Sequence, residues 1–357
     1  MTQLLTPVAR PKQATPWTKK SGTTILSVLI ASTLPAIVAL LTIFGGLDAA
    51  LAVVLVFLPL QILSVGVVGY RSYGKAGIAD AVLVVGAIFL TTLVMVLLIS
   101  VIWSVIAEGS KVLSLSFFTQ NNKYISSSTA LEYGGVGHAI LGTLIVVLIT
   151  TIVAVPLGLG IAVFLTETRS KLRGPIRILV QAMSGLPSIV AGLFVYSAFI
   201  ITGLLQYSAL AGAIALIPLM LPTVARVAEE ALRLVSKDLR NGALALGAPA
   251  YRAFFQVTLP AALSGVVTAL LLGIARVIGE TAPMLLTVGV SNKTNLNPLE
   301  AVATLPTYIY SFLALGKDTS VQRAWGAALT ILILVAIFFS LARIMSRPKS
   351  TKGKAKK

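Results

Sequence analysis

The chain has 357 residues, of which 57% are hydrophobic and only 11% charged, and its mean hydropathy is +0.97. A soluble globular domain carries roughly 25% charged residues, so that class is excluded and the length is read as membrane spans of about 20 apolar residues each. There is no cysteine, and His138 is the only histidine, which excludes disulfides, a Cys nucleophile, and thiolate or multi-His metal sites.

Apolar runs at 25–45, 49–69, 81–107, 137–165, 178–201, 209–227, 261–282 and 324–345 predict eight transmembrane helices and an all-α polytopic membrane protein. The first run, starting near Ile25, exceeds a leader-peptide core and lacks a convincing cleavage site, so it is expected to persist as a helix. The first two runs read as a separable hairpin turning at Gly45-Gly46-Leu47-Asp48, which makes residues 1–80 an N-terminal tail and hairpin ahead of a six-span remainder, 81–345. Residues 346–357 form a basic tail.

Basic residues set the orientation. With both termini in the cytoplasm, 22 Lys and Arg fall inside and 5 outside (Lys111, Lys123, Lys293, Lys317 and Arg323), while Arg276 sits within a span. The net charge of +17 then reads as loops and tails facing anionic lipid, with no nucleic acid as partner. Long outer loops are expected at 108–136 and 283–323, and the longest inner loop at 226–258.

Gly69-Tyr70-Arg71-Ser72-Tyr73-Gly74-Lys75-Ala76 nearly matches a phosphate-binding loop, but Ala76 has no hydroxyl for Mg²⁺ and no strand precedes it. No nucleotide site, cofactor or metal is expected, and no Ser/His/Asp set or carboxylate pair points to an enzyme. The Asn292-Lys293-Thr294 sequon has meaning only in a eukaryotic secretory setting. His138 reads as a polar residue at a membrane boundary.

The inner loop reads as a helix from Leu232 to Leu246, a stop at Gly247, a second short helix, and Leu259-Pro260 opening the next span. Gly suits a left-handed helix end, and Pro suits a first helical turn. Such an elbow offers a knob to a partner. Its spacing resembles the cytoplasmic coupling loop of ABC-importer permeases (Glu-Ala-Ala, three residues, Gly, nine residues, Ile-x-Leu-Pro). Ala243, Gly247, Val257, Leu259 and Pro260 fall in place, while Asn241 and Gly242 stand where that pattern has Glu and Ala.

Further segments extend the resemblance over roughly 81–345: Gly134 to Leu144, Ser184-Gly185-Leu186-Pro187-Ser188 onward to Leu193, Leu221-Pro222-Thr223-Val224-Ala225-Arg226 with Glu229-Glu230-Ala231-Leu232, Gly279-Glu280-Thr281-Ala282-Pro283, and Thr304-Leu305-Pro306. Together they resemble the PstA-type permease subunits of phosphate-specific ABC transporters. The resemblance implies a six-helix permease core in a prokaryotic plasma membrane. It implies three partners: a second related permease, an ATP-binding subunit dimer carrying the hydrolysis, and an extracytoplasmic phosphate-binding protein.

Arg276 and Glu280 are the sharpest chemical feature. Spaced four apart, they are expected to share one helix face, about 16 residues and roughly 24 Å beyond Pro260. An intramembrane charge faces a cavity or a partner, and an Arg fork can hold phosphate through two hydrogen bonds. A structural ion pair is the competing reading. Arg226 reads either as a second path arginine at another depth or as an anchor at the helix end; both arginines match path positions by the resemblance. Thr281 and Ser188 could donate hydroxyls to an anion or simply pack. Permeases for sulfate, molybdate or tungstate, and an ATP-independent anion transporter, are the alternatives.

Overall fold

The computed structural model describes residues 22–46 and 48–345. The basic residues expected in the cytoplasmic tails, Arg10, Lys12, Lys19, Lys20 and the six from Arg347 to Lys357, lie outside them. Among the described residues there is no strand. In chain order the helices are α1 (Gly22–Phe44), α2 (Ala49–Leu51), α3 (Leu58–Gly109), α4 (Leu115–Thr119), α5 (Gly137–Glu167), α6 (Arg173–Ser184), α7 (Ser188–Val195), α8 (Ala209–Arg233), α9 (Lys237–Ala245), α10 (Ala250–Ala253), α11 (Leu259–Ile278), α12 (Ala282–Thr287), α13 (Leu305–Ala314) and α14 (Asp318–Met345). Wider π-helical turns occupy Ala52–Phe57, Tyr196–Ile200 and Phe254–Thr258.

Six continuous helical stretches among the described residues are long and apolar enough to cross a membrane: Ala52–Arg71, Gly77–Gly109, Gly137–Glu167, Ala209–Arg233, Ala250–Ile278 and Asp318–Ser340. A bent pair, Arg173–Ser184 with Ser188–Ile200, makes up to seven. At the first expected span, the apolar stretch found is the shorter Thr33–Phe44, in a helix that contains Pro35.

Two compact units emerge, residues 1–101 and 102–357. In the first, α1 packs against the π-helical turns Ala52–Phe57, and the Ser64 hydroxyl donates to the Ala31 carbonyl at 2.6 Å. The expected 70–80 loop shrinks to a single break at Gly74 (φ +67, ψ −150), a conformation that costs a residue with a Cβ far more than glycine. The near-match to a phosphate-binding loop, Gly69 to Ala76, therefore spans a kink between two helices, with no strand before it.

In the second unit α8 is the axis. It packs against α5, α6, α7, α11 and α12, and 61% of its span window is buried, against 6% for Gly77–Gly109. The latter helix shows its apolar side chains outward, as a lipid-facing surface would. Close packing around α8 depends on small residues. A Cβ on Gly158 of α5 would come within 3.0 Å of Val224, and one on Gly273 of α11 within 2.7 Å of the same side chain.

The fifth expected span, 178–201, is not one helix. It bends by 97° between α6 and α7. Pro187 (ψ 131) disfavours the helical conformation at Leu186 and cannot donate to the preceding turn. Ser184-Gly185-Leu186-Pro187 is thus a corner.

The outer segments expected as loops are folded into the unit. Thr304 and Thr307 form a capping box at the start of α13, and the Leu305 amide donates to the Thr143 hydroxyl of α5 at 2.8 Å. Tyr308 of α13 stacks on Phe312 and meets the edge of His138 at 5.8 Å between ring centroids. His138 is buried within the protein. Burial pushes the Tyr308 hydroxyl up to about 12, against a smaller lowering by the hydrogen bond from Asn122, so it stays protonated at neutral pH.

Arg323, expected in an outer loop, lies in α14 and is fully buried (0% exposed). Its guanidinium donates to the carbonyls of Thr129, Ala130 and Tyr133 at 3.1, 2.8 and 2.9 Å. Thr319 and Ser320 both donate to the Ser127 carbonyl, so the start of α14 clamps this loop. Arg323→Met should cost roughly 3 kcal/mol, because three carbonyls lose the charged donor that holds them to α14. Faster amide exchange across residues 126–133 together with a lower melting temperature would show it.

Candidate functional site: an arginine cavity and a helix–glycine elbow

The elbow comes first in chain order. The expected helix 232–246 is broken: α8 stops at Arg233 and α9 restarts at Lys237, where the Ser236 side chain accepts from the Asp238 amide. α9 then ends at Gly247, whose φ of +83 turns the chain sharply. Its amide donates to the Leu244 carbonyl and that of Ala248 to Ala243, closing the helix end.

Beyond the elbow, Leu259-Pro260 does not open a new helix. The chain is helical from Ala250 to Ile278. Pro260 has no N–H and its ring crowds the carbonyl four residues back, and the helix widens into π turns immediately before it. Asn241, Gly242, Gly247 and Pro260 are exposed, and Ala243 and Leu259 half-buried. Leu246 is 91% exposed, and Leu239 and Tyr251 are exposed beside it. An uncovered apolar knob of this kind is the mark of a surface that contacts another protein or a membrane.

The second feature is a cavity of about 370 Å³ bordered by α6, α8 and α11. Arg226 and Arg276 both line it, with Ser184, Thr223 and Glu230. The two arginines, expected at different depths, thus share one space. Both are exposed, and neither belongs to any ion pair found among the described residues. Two guanidiniums lining one opening with the hydroxyls of Ser184 and Thr223 offer the donor chemistry that suits an oxyanion, since each fork matches two anion oxygens.

Glu280 and Thr281 do not line this cavity. α11 ends at Ile278 and Gly279 caps it, so Arg276 and Glu280 do not share a helical face. Glu280 starts a turn into α12, and the Thr281 hydroxyl donates to the Gly279 carbonyl at 3.4 Å. The expected i,i+4 geometry fails because Gly279 ends the helix between the two residues, a stop signal visible in the sequence. Ser188 opens α7 beyond the corner and does not line the cavity either.

Sequence comparison adds to this geometry. Residues 154–349 match the family described as "Binding-protein-dependent transport system inner membrane component". The phosphate transport system permease protein PstA 1 of Mycobacterium tuberculosis (strain CDC 1551 / Oshkosh) is 41% identical over 74% of this chain and 88% of its own length. The chain belongs to this transport family. The PstA of Mycobacterium leprae is 45% identical over 57% of this chain and 67% of its own length. The probable PstA of Methanocaldococcus jannaschii is 34% identical over 72% and 89%.

For this binding-protein-dependent transport component, the structure also finds charged residues that the motifs left without a role. Glu230 lines the arginine cavity. Next to it, a space of about 320 Å³ is shared by Arg177, Arg226, Glu229, Glu230 and Arg233. Glu229 accepts from Arg177 of α6 at 2.7 Å and from Arg233 of α8 at 2.6 Å. Spacing alone reveals the Glu229–Arg233 pair, one helical turn apart. The Arg177 contact spans two helices and could not be read from it.

Proposed function

We propose that this chain is the membrane-spanning permease subunit of an ATP-driven importer of inorganic phosphate. The observation that carries the reading is the cavity where Arg226 and Arg276 meet, in a chain similar to phosphate transport permeases over most of its length. Phosphate, unlike sulfate, keeps a proton near neutral pH. A carboxylate beside the arginines can accept that proton's hydrogen bond and repel an anion lacking it. Glu230 holds that position in the cavity, and Glu280 follows Arg276 just beyond the helix end. Thr281 supplies a further hydroxyl near the outer end of the path.

Both termini lie in the cytoplasm in this reading. The hairpin within 1–80 adds two spans to a core over 81–345, followed by the basic tail 346–357, and the chain resides in a prokaryotic plasma membrane. An exposed Arg at membrane depth needs water or protein opposite it. A second, related permease closes the path there. The elbow of Asn241, Gly242, Ala243 and Gly247, with Leu259 and Pro260 behind it, docks into a groove of one ATPase subunit, and the ATPase pair performs the hydrolysis. An extracytoplasmic phosphate-binding protein delivers the ion to the outer segments.

The test is uptake by the assembled complex in vesicles. Labelled phosphate should accumulate with ATP, stop with vanadate, and be displaced by excess phosphate but not by equal sulfate or molybdate. Uptake without ATP would remove the importer reading, and stronger competition by sulfate would reassign the ion.

A further inference from the structure

A second basic cavity lies apart from the path arginines, next to the elbow. It encloses about 450 Å³ and is lined by the end of α5, the start of α6, the end of α8, the first turn of α9 and Thr258 of the π-helical turns. Four cations, Arg173, Arg233, Lys237 and Arg240, face a single lining carboxylate, Glu167. Arg240 is held by Glu167 at 2.6 Å, and Arg233 by Glu229 outside the cavity, also at 2.6 Å. Arg173 donates to the Leu165 carbonyl, and Lys237 belongs to no ion pair found among the described residues. An entering anion could therefore engage Lys237 and Arg173 without breaking an ion pair.

A further observation points the same way. Thr258 is 3% exposed, and its hydroxyl has no hydrogen-bond partner. A buried hydroxyl does not stay unpaired without cost, although threonine in a helix can satisfy it by donating to a carbonyl one turn back. Thr166, which lines the same cavity, does so, to Ala162 at 2.9 Å. The nine-residue α9 also starts at this cavity, through Ser236 and Lys237. The positive end of a helix adds to the attraction for an anion.

We propose that this cavity is a second anion site, taking a phosphate-type group: free inorganic phosphate or the phosphomonoester headgroup of an acidic lipid. Its place on the cytoplasmic side, and its bearing on coupling, rest on the function proposed above; the binding itself does not. A bound group would tie α9, through Lys237, to α6, through Arg173, and to the π turns at Thr258, and so restrain the helix that leads into the elbow. For a phosphate importer, this would let accumulated product slow further uptake.

The test uses the assembled transporter carrying Arg226→Gln and Arg276→Gln, which removes the contribution of both path arginines. Equilibrium binding of labelled inorganic phosphate is measured in detergent, and binding to phosphatidylcholine vesicles with or without phosphatidic acid is measured alongside. Lys237→Gln and the shape-conserving Thr258→Val are then added singly. Loss of a charge-assisted contact should weaken binding about tenfold. Weakening of phosphate binding supports a free-ion site, and weakening confined to phosphatidic acid supports a headgroup site. If neither probe binds differently in either variant, the site does not exist. Uptake by the wild-type complex is scored separately, so an absence of phosphate transport would overturn the importer reading without touching this result.

Discussion

Arg276→Gln should lower phosphate uptake at least a hundredfold while the complex still assembles. The side chain is exposed at the end of α11 and lines the cavity with Arg226. A charged hydrogen bond contributes roughly 1.5–3 kcal/mol, and a fork makes two, so its loss removes most of the ion's hold in the path. Assembly should survive because Arg276 takes part in none of the ion pairs found among the described residues. Arg276→Lys should fall between, since it keeps the charge and loses the fork. Uptake of labelled phosphate, read beside co-purification of the ATPase subunit, checks both parts. Full transport by Arg276→Gln would end the path role.

Gly247→Val should uncouple ATP hydrolysis from uptake. A Cβ at this position would meet nothing within 4 Å, so the obstacle is not crowding. It is the backbone: at φ +83 a residue with a Cβ is strained by roughly 1–2 kcal/mol, and a β-branched one by more. Valine should therefore relax the turn, move Leu246 and the start of α10, and misplace the knob. Phosphate transported per ATP should drop several-fold while the fold's melting temperature barely changes. Gly247→Asn should stay close to normal, because Asn tolerates the left-handed region. Equal coupling in the Val and Asn variants would show that the elbow's angle does not matter.

The two variants probe parts that were legible to different degrees. The elbow could be read almost whole: Gly247 stands where a helix must end, and the exposed leucines around it follow from a helix with no core to cover them. Its flanks could not be read as well. No glycine or proline marks the break at 234–236, and Leu259-Pro260 reads as a helix start, whereas Pro260 sits inside a continuous helix and widens the turns before it.

At the arginine cavity, the charge of Arg276 was visible as a fault in an apolar run. Its neighbour in space was not. Sequence spacing offered Glu280, four residues on, whereas the folded chain ends its helix at Ile278 and places Arg226, Glu230, Ser184 and Thr223 around the same cavity. Those groups come from helices far apart in the sequence. Arg323 makes the same point: a cation in a supposed loop proved to be buried, because three carbonyls of residues 129–133 fold back to meet it.

The sequence by itself determined that this chain is helical and membrane-embedded, where α5 and α8 begin, and where the chain turns at Gly247. Apolar runs and glycine at a left-handed turn are local properties: the first follows from the thickness of lipid to be crossed, the second from the missing Cβ. Tertiary structure alone decided that Arg226 and Arg276 share one cavity, that Glu229 joins α6 to α8, and that Pro187 becomes a 97° corner rather than a gentle kink. Each of these depends on which helices lie side by side. That is set by small residues such as Gly158 and Gly273 letting α5 and α11 approach Val224, a pairing that no local pattern announces.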